Sequence, residues 1–458
     1  MAEQLIISIS GMRGIVGENL SAAIAAEYGC VFGTFLRQRA GGSGRQAVCI
    51  GRDSRPSGPM LAAAVTAGLC STGMDVVDLG IVATPTVGIM LRQMGCAGGV
   101  VITASHNPIA YNGIKLLLGN GIAPPRNDAE TIRRMYFDKA FSTVASADCG
   151  QVRQDTRANE VHVAKVLAIA AVDAVARRRY KVVLDSVNGA GGPAGKQLLA
   201  ALGCEVVAVN DAPTGLFAHT PEPIEANLRE LCDVVTSHKT DIGLAQDPDA
   251  DRLAIVDENG RYIGEEFTLA LAARYVFNRQ SGGTAAANLS TSRMIDDIAA
   301  AAGATVIRTP VGEANVAEAM VKNHCIIGGE GNGGVIDLRV GPVRDSLVGM
   351  ALVLSLMAQT GKTVGQLADE IGGYVMLKDK FRADGDQAGR ILDAAKEAFA
   401  EARLDMTDGC RFDFPDGWIH LRTSNTEPVM RSIVEARGRD AAQGYAKRVN
   451  EIRGRVTG

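Results

Sequence analysis

Short apolar runs alternate with amphipathic helical stretches three times along this chain, and that rhythm restricts it to sheets covered by helices. In the first cycle the pattern predicts strands at 46–51, 74–80 and 98–104, separated by helices at 59–71 and 85–94. A long amphipathic helix is expected over the Ala- and Arg-rich stretch 159–179. The second cycle follows, with strands at 181–185, 205–209 and 242–245 and helices at 191–202 and 225–238. A third places strands at 285–289, 305–308 and 325–328. From about residue 372 the order changes to strand, helix (387–402), strands (410–421) and a last helix (441–455). The expectation is therefore α/β: three similar α/β domains with mixed sheets and a smaller C-terminal α+β domain. Their expected spans are 1–155, 156–254, 255–370 and 371–458. A chain of 458 residues is too long for one ordinary core, which agrees with that division.

Composition narrows the function. A net charge of −4 gives no reason to expect nucleic acid as a partner. No apolar run reaches the length of a membrane span, and the longest, at 347–358, is interrupted by Gly349 and Ser355. The nine cysteines are scattered without a Cys-x-x-Cys pair, so reduced thiols and a cytoplasmic location are expected.

Four segments carry chemistry. Thr103-Ala104-Ser105-His106-Asn107-Pro108 follows a predicted strand directly, so a hydroxyl is offered at the carboxyl edge of a sheet, where α/β proteins hold ligands. A capped Ser-His turn is the plain alternative. Asp247-Pro248-Asp249-Ala250-Asp251-Arg252 sets three carboxylates at alternating positions, which repel one another unless a cation sits among them. An EF-hand is excluded, because Arg252 stands where its glycine is needed and 253–256 reads as a strand. One hard cation, magnesium, fits best. Gly328-Gly329-Glu330-Gly331-Asn332-Gly333-Gly334 lets backbone approach a ligand while Glu330 and Asn332 offer hydrogen-bonding groups; its spacing does not match a dinucleotide loop. Finally, Arg422-Thr423-Ser424-Asn425-Thr426-Glu427-Pro428-Val429-Met430-Arg431 combines two arginines and several hydroxyls in one phosphate cradle. Gly11-Met12-Arg13-Gly14 and the segment 51–58 are further Arg-in-Gly loops. Arg13 can assist a phosphoryl group there, whereas Arg52, Asp53 and Arg55 are equally suited to structural ion pairs.

In this order and spacing the motifs resemble the α-D-phosphohexomutases over the whole chain, from Gly11 to Arg431. The resemblance implies four domains around a central cleft. It implies that Ser105 carries a phosphate, that Asp247, Asp249 and Asp251 hold magnesium against it, and that Glu330 reads the sugar hydroxyls. It also implies that Arg422, Ser424, Asn425 and Thr426 grip the idle phosphate, with Arg431, Thr309, Gly312 and Asn332 completing the sugar-phosphate site. Asn332 and Gly334 replace the serine and histidine of better-known bacterial members, as in archaeal-type phosphoglucosamine and phosphomannose/phosphoglucose mutases. Lys115 is then the preferred proton handler, with a pKa depressed by nearby cations, or else only a phosphate counter-ion. The implied reaction is hexose 6-phosphate to hexose 1-phosphate through a hexose 1,6-bisphosphate, which would also be the activator. Arg252 would neutralise the moving phosphoryl group. Phosphoglucosamine mutase is the preferred member and phosphomannomutase/phosphoglucomutase the alternative, acting as monomer or homodimer on a small-molecule sugar phosphate. A phosphoserine-type sugar phosphatase would have no need of the second phosphate loop, and a non-catalytic sugar-phosphate-binding protein no need of Ser105 with all three aspartates.

Overall fold

The computed structural model describes residues 5–8, 11–41, 44–280, 282–423 and 429–457. Twenty strands form four sheets among these residues. The first holds β1 (Ile6–Ser8), β2 (Gly11–Ile15), β3 (Ala47–Arg52), β4 (Asp75–Ile81), β5 (Gly98–Ile102), β6 (Tyr111–Leu118) and β7 (Val152–Gln154). Its order is β1-β2-β6-β5-β3-β4-β7. The second holds β8 (Lys181–Asp185), β9 (Glu205–Val209), β10 (Ile242–Gln246) and β11 (Leu253–Val256), ordered β11-β10-β8-β9. The third holds β12 (Thr284–Asn288), β13 (Thr305–Thr309), β14 (Ile327–Glu330) and β15 (Gly334–Ile336), ordered β13-β12-β14-β15. The last is antiparallel: β16 (Tyr374–Arg382), β17 (Arg403–Asp405), β18 (Cys410–Asp413), β19 (Gly417–Thr423) and β20 (Val429–Arg437).

One topology recurs in the first three sheets. Within β3–β6, β8–β11 and β12–β15, the first strand pairs in parallel with the second and third, and the fourth returns antiparallel beside the third. The similar rhythms in the sequence are thus the same unit used three times, with β1, β2 and β7 added to the first. The Ser105 turn, the aspartate loop and the Glu330 loop all lie at the junction from third to fourth strand.

Several sequence expectations are corrected. The stretch 159–179 is two helices, Ala158–Leu167 and Val172–Arg178. The chain breaks because the Ala171 backbone N–H donates to Ser355 Oγ at 3.0 Å, and the bend lets Val163, Val166 and Val175 enter one core. Similarly, 225–238 is a single 3-10 turn, Glu225–Asn227, followed by the helix Arg229–His238. Gly11–Gly14 is strand β2 and not a loop; its glycines permit close approach, since a Cβ at Gly11 would lie 2.1 Å from Ile114 O. The division expected at 254/255 falls inside β11, whose pairing with β10 carries the second sheet to Val256.

The second and third units share one apolar core, which runs from Leu184 and Leu244 to Ala285 and Ile327. Between them lies the helix Ser346–Thr360, which contains the longest apolar run; Ser346 through Ala358 are all buried. No single helix among the described residues is long and apolar enough to cross a membrane. All nine cysteines are unpaired. Arg293 fastens the last sheet to the third unit, donating to Phe414 O, Gly417 O and Asp413 Oδ1 at 2.9–3.1 Å. Because Leu352 is fully buried in the shared core, Leu352→Ala should lower unfolding free energy by about 2–5 kcal/mol, read from denaturant titration.

Candidate active site

Ser105 leaves β5 in a left-handed conformation, φ +50°, which a non-glycine residue adopts only when its surroundings hold it there. Arg55 supplies that hold. Fully buried, it donates to Ser105 O, Asn107 O and Pro108 O at 2.7–2.8 Å and pairs with Asp53 at 3.0 Å. Thr103 Oγ1 donates to the same Asp53 carboxylate and accepts from the Ser105 N–H. Arg55 and Asp53 are therefore structural, the second of the two roles the sequence allowed them. Ser105 Oγ, thus placed, donates to Asp247 Oδ2 at 2.8 Å. His106 Nδ1 lies 3.3 Å from Ser105 Oγ. Burial and the neighbouring Arg252 and Arg13 push the His106 pKa down to about 2, so its ring is neutral.

The aspartate loop meets this hydroxyl from β10. Asp247, Asp249 and Asp251 are fully buried, and one oxygen from each lies within 4.8 Å of the others. Burial, then Asp251 and Asp249, pushes Asp247 well above the ordinary carboxyl range. Asp249 Oδ1 and Asp251 Oδ1 are buried without a hydrogen-bond partner. Three buried carboxyl groups so placed, two with unsatisfied oxygens, fit a hard cation with oxygen ligands. The carboxylates can hold one metal ion.

Two cations from other units enclose the triad. Lys115 Nζ, from β6, lies 2.7 Å from Asp249 Oδ2 and 3.6 Å from Asp251 Oδ2. The expected depression of its pKa is reversed: burial lowers it, but Asp249, Asp251 and Glu313 outweigh burial and raise it. Its close neighbours are carboxylates and not the cations expected from sequence. Arg344 donates to Asp251 Oδ2 and to Glu330 Oε2, each at 2.6 Å. Thr84, at the start of the helix Thr84–Gln93, adds a 2.6 Å bond to Asp249 Oδ2. Neither Arg344 nor Thr84 is apparent from sequence, since each stands outside any Gly- or Asp-rich motif.

Arg13 and Arg252 both act on His106, the residue after the serine. Arg13 Nη1 donates to Asn107 Oδ1 at 3.1 Å. Arg252 Nε is buried without a hydrogen-bond partner, 3.9 Å from Asp251 Oδ1, so it has a donor to spare for an anion. On the sugar side, Glu330 Oε1 accepts from Asn288 Nδ2 at 2.7 Å and from the Gly312 N–H at 3.1 Å. Asn332 Nδ2 reaches Glu330 Oε2 at 3.4 Å, and its Oδ1 is buried without a partner. Thr309 closes β13, with Oγ1 donating to Pro310 O. In the last sheet Arg422 on β19 faces Arg431 on β20 in register, and Arg431 in turn faces Lys380 on β16. Residues directly opposite one another share a face, so this row gathers three cationic side chains on one side of the sheet. Lys380 is a member that sequence reasoning missed. Arg422 Nε lies 3.3 Å from Asp408 Oδ2, which also accepts from the Val311 N–H. The expected phosphate ligands Ser424, Asn425 and Thr426 lie outside the described residues.

The phosphoglucomutase/phosphomannomutase alpha/beta/alpha domains I, II and III match residues 5–143, 160–260 and 265–374, and the C-terminal domain matches 378–452. The chain belongs to the phosphoglucomutase/phosphomannomutase family. It is a phosphohexomutase, an isomerase that moves phosphate within a hexose. A phosphoglucomutase/phosphomannomutase of Thermococcus kodakarensis is 39% identical over 95% of both chains. A "Probable phosphoglucosamine mutase" of Methanopyrus kandleri is 35% identical over 95% of this chain and 94% of its own. A crystal structure of a family protein from Burkholderia thailandensis matches 99% of this phosphohexomutase and 98% of its own chain at 27% identity, with a TM-score of 0.86.

For this phosphohexomutase, Asp249→Asn should raise the dissociation constant for Mn2+, a probe cation measured by calorimetry, about tenfold or more, since even a ligand's supporting partner is worth that much.

Proposed function

We propose that the chain interconverts hexose 6-phosphate and hexose 1-phosphate through a phosphate carried on Ser105. The observation that carries this reading is the hydroxyl of a strained serine set 2.8 Å from a buried carboxylate triad, with a row of cations on the last sheet. The triad and Ser105 would hold magnesium, which when bound supplies charge neutralisation for phosphoryl transfer.

In each transfer the bond between phosphorus and Ser105 Oγ breaks as a bond to a sugar hydroxyl oxygen forms. The hydroxyl proton is the one that ends on the freed serine. Arg13, Arg252 and Lys115 surround the moving group with positive charge, and the positioning and electrostatics do most of the catalysis. Lys115, which lies 2.7 Å from Asp249 Oδ2, suits a counter-charge role beside the moving group. The bisphosphate then turns over and returns its other phosphate to Ser105, while Arg422 and Arg431, with Ser424, Asn425 and Thr426, hold the idle one. Free hexose 1,6-bisphosphate would reload a dephosphorylated chain, which makes it the activator.

Glucosamine phosphate is the proposed sugar. The partnerless Asn332 Oδ1 beside Glu330 accepts a hydrogen bond from an amino group, and the 35% identical relative carries that name. The 39% identical relative favours glucose and mannose phosphates as the second reading, because the same oxygen accepts from a hydroxyl. Turnover of the three 1-phosphates, measured in parallel, should be fastest for glucosamine 1-phosphate. Ser105→Ala should abolish turnover of all of them and remove one phosphate from the intact mass. Activity retained in that variant would contradict the phosphoserine route.

A further inference from the structure

Arg344 joins the two halves of the site. Its Nη1 donates to Glu330 Oε2 and its Nη2 to Asp251 Oδ2, both at 2.6 Å, so one planar guanidinium bridges the sugar loop and the aspartate loop. The backbone N–H of the same residue donates to Glu313 Oε1 at 2.6 Å, fixing where the side chain starts. Glu330 and Asp251 are buried, so each depends on this partner for part of its charge compensation. Lysine could not make the bridge, because a point charge lacks the two-pronged geometry.

A second observation comes from Gly334, the first residue of β15. Its φ is not among the left-handed ones, so a side chain is excluded by space and not by backbone. A Cβ there would lie 2.1 Å from Arg344 Cδ and 2.7 Å from Cγ. The glycine leaves the channel through which the arginine reaches both carboxylates.

We propose that Arg344 is a positioning residue that locks Glu330 to the metal-holding loop, and that Gly334 is required to leave it room. Glu330 then meets the sugar in one fixed orientation relative to Asp251. This rests on the reading of Glu330 as a sugar ligand, so Glu330→Gln is measured alongside.

The test is steady-state kinetics with hexose 1-phosphate, with calorimetric binding of hexose 6-phosphate as an independent readout. The variants are Arg344→Lys, Arg344→Ala, Gly334→Ala and the Gly334→Ala/Arg344→Ala double. Loss of the bridge should raise KM about tenfold or more, with a smaller fall in kcat, as for a ligand that has lost its orienting partner. Gly334→Ala leaves every charge in place and should weaken binding by a similar factor. The double variant should be no worse than Arg344→Ala alone, because the glycine acts only through the arginine. Wild-type KM in Arg344→Lys or Gly334→Ala, or multiplied effects in the double variant, would overturn the bridge while a raised KM in Glu330→Gln keeps the sugar reading. Wild-type KM in Glu330→Gln would overturn both.

Discussion

Three carboxylates buried in one short loop are the constraint on which the rest of the molecule depends. Taking even one such charge out of water costs several kcal/mol, so the loop is tolerable only when surrounded by compensating charge. The compensation comes from elsewhere in the chain: Lys115 from the first sheet and Arg344 from just after the third. The Ser105 hydroxyl completes the set by donating to Asp247. Neutralisation of the triad thus depends on contacts between the units. His162 reinforces the junction, with Thr86 at 2.8 Å on one ring nitrogen and Asp345 at 2.7 Å on the other.

Repetition explains how so many groups converge. In each of the first three units the functional loop is the turn from the third strand into the antiparallel fourth. The same turn yields the phosphate carrier, the metal-holding loop and the sugar loop, according to whether it holds a serine, aspartates or glycines around a glutamate. Left-handed backbone recurs at these turns, at Ser105, Ala250 and Gly333. The last unit differs in topology and contributes charge from its sheet instead, through Arg422, Arg431 and Lys380.

What the sequence made legible followed from local physics. β8 and β9 begin and end where alternation predicts, and the Ser105, Asp247 and Glu330 loops stand where strands run out into polar turns. What it hid was set by distant contacts. The break at Ala171 answers to Ser355, far along the chain. Arg344 has no motif of its own; the nearest signal is the dense run of glycines ending at Gly334, whose missing side chain is the space the arginine fills. Lys115 stands in a legible motif, but its charge environment is set by Asp249 and Asp251 from another sheet. Cross-strand register, which places Lys380 beside Arg431, is equally invisible until the strands are paired.

The central claim is that Ser105 hands a phosphate to the sugar and is not merely phosphorylated. Transfer of radiolabelled phosphate from the loaded protein to unlabelled hexose monophosphate tests it most directly. The label should pass through hexose bisphosphate into hexose monophosphate within a single turnover when a divalent cation is present, and should stay on the protein in excess chelator. Release of the label as inorganic phosphate, or its retention on the protein while turnover proceeds, would contradict the account.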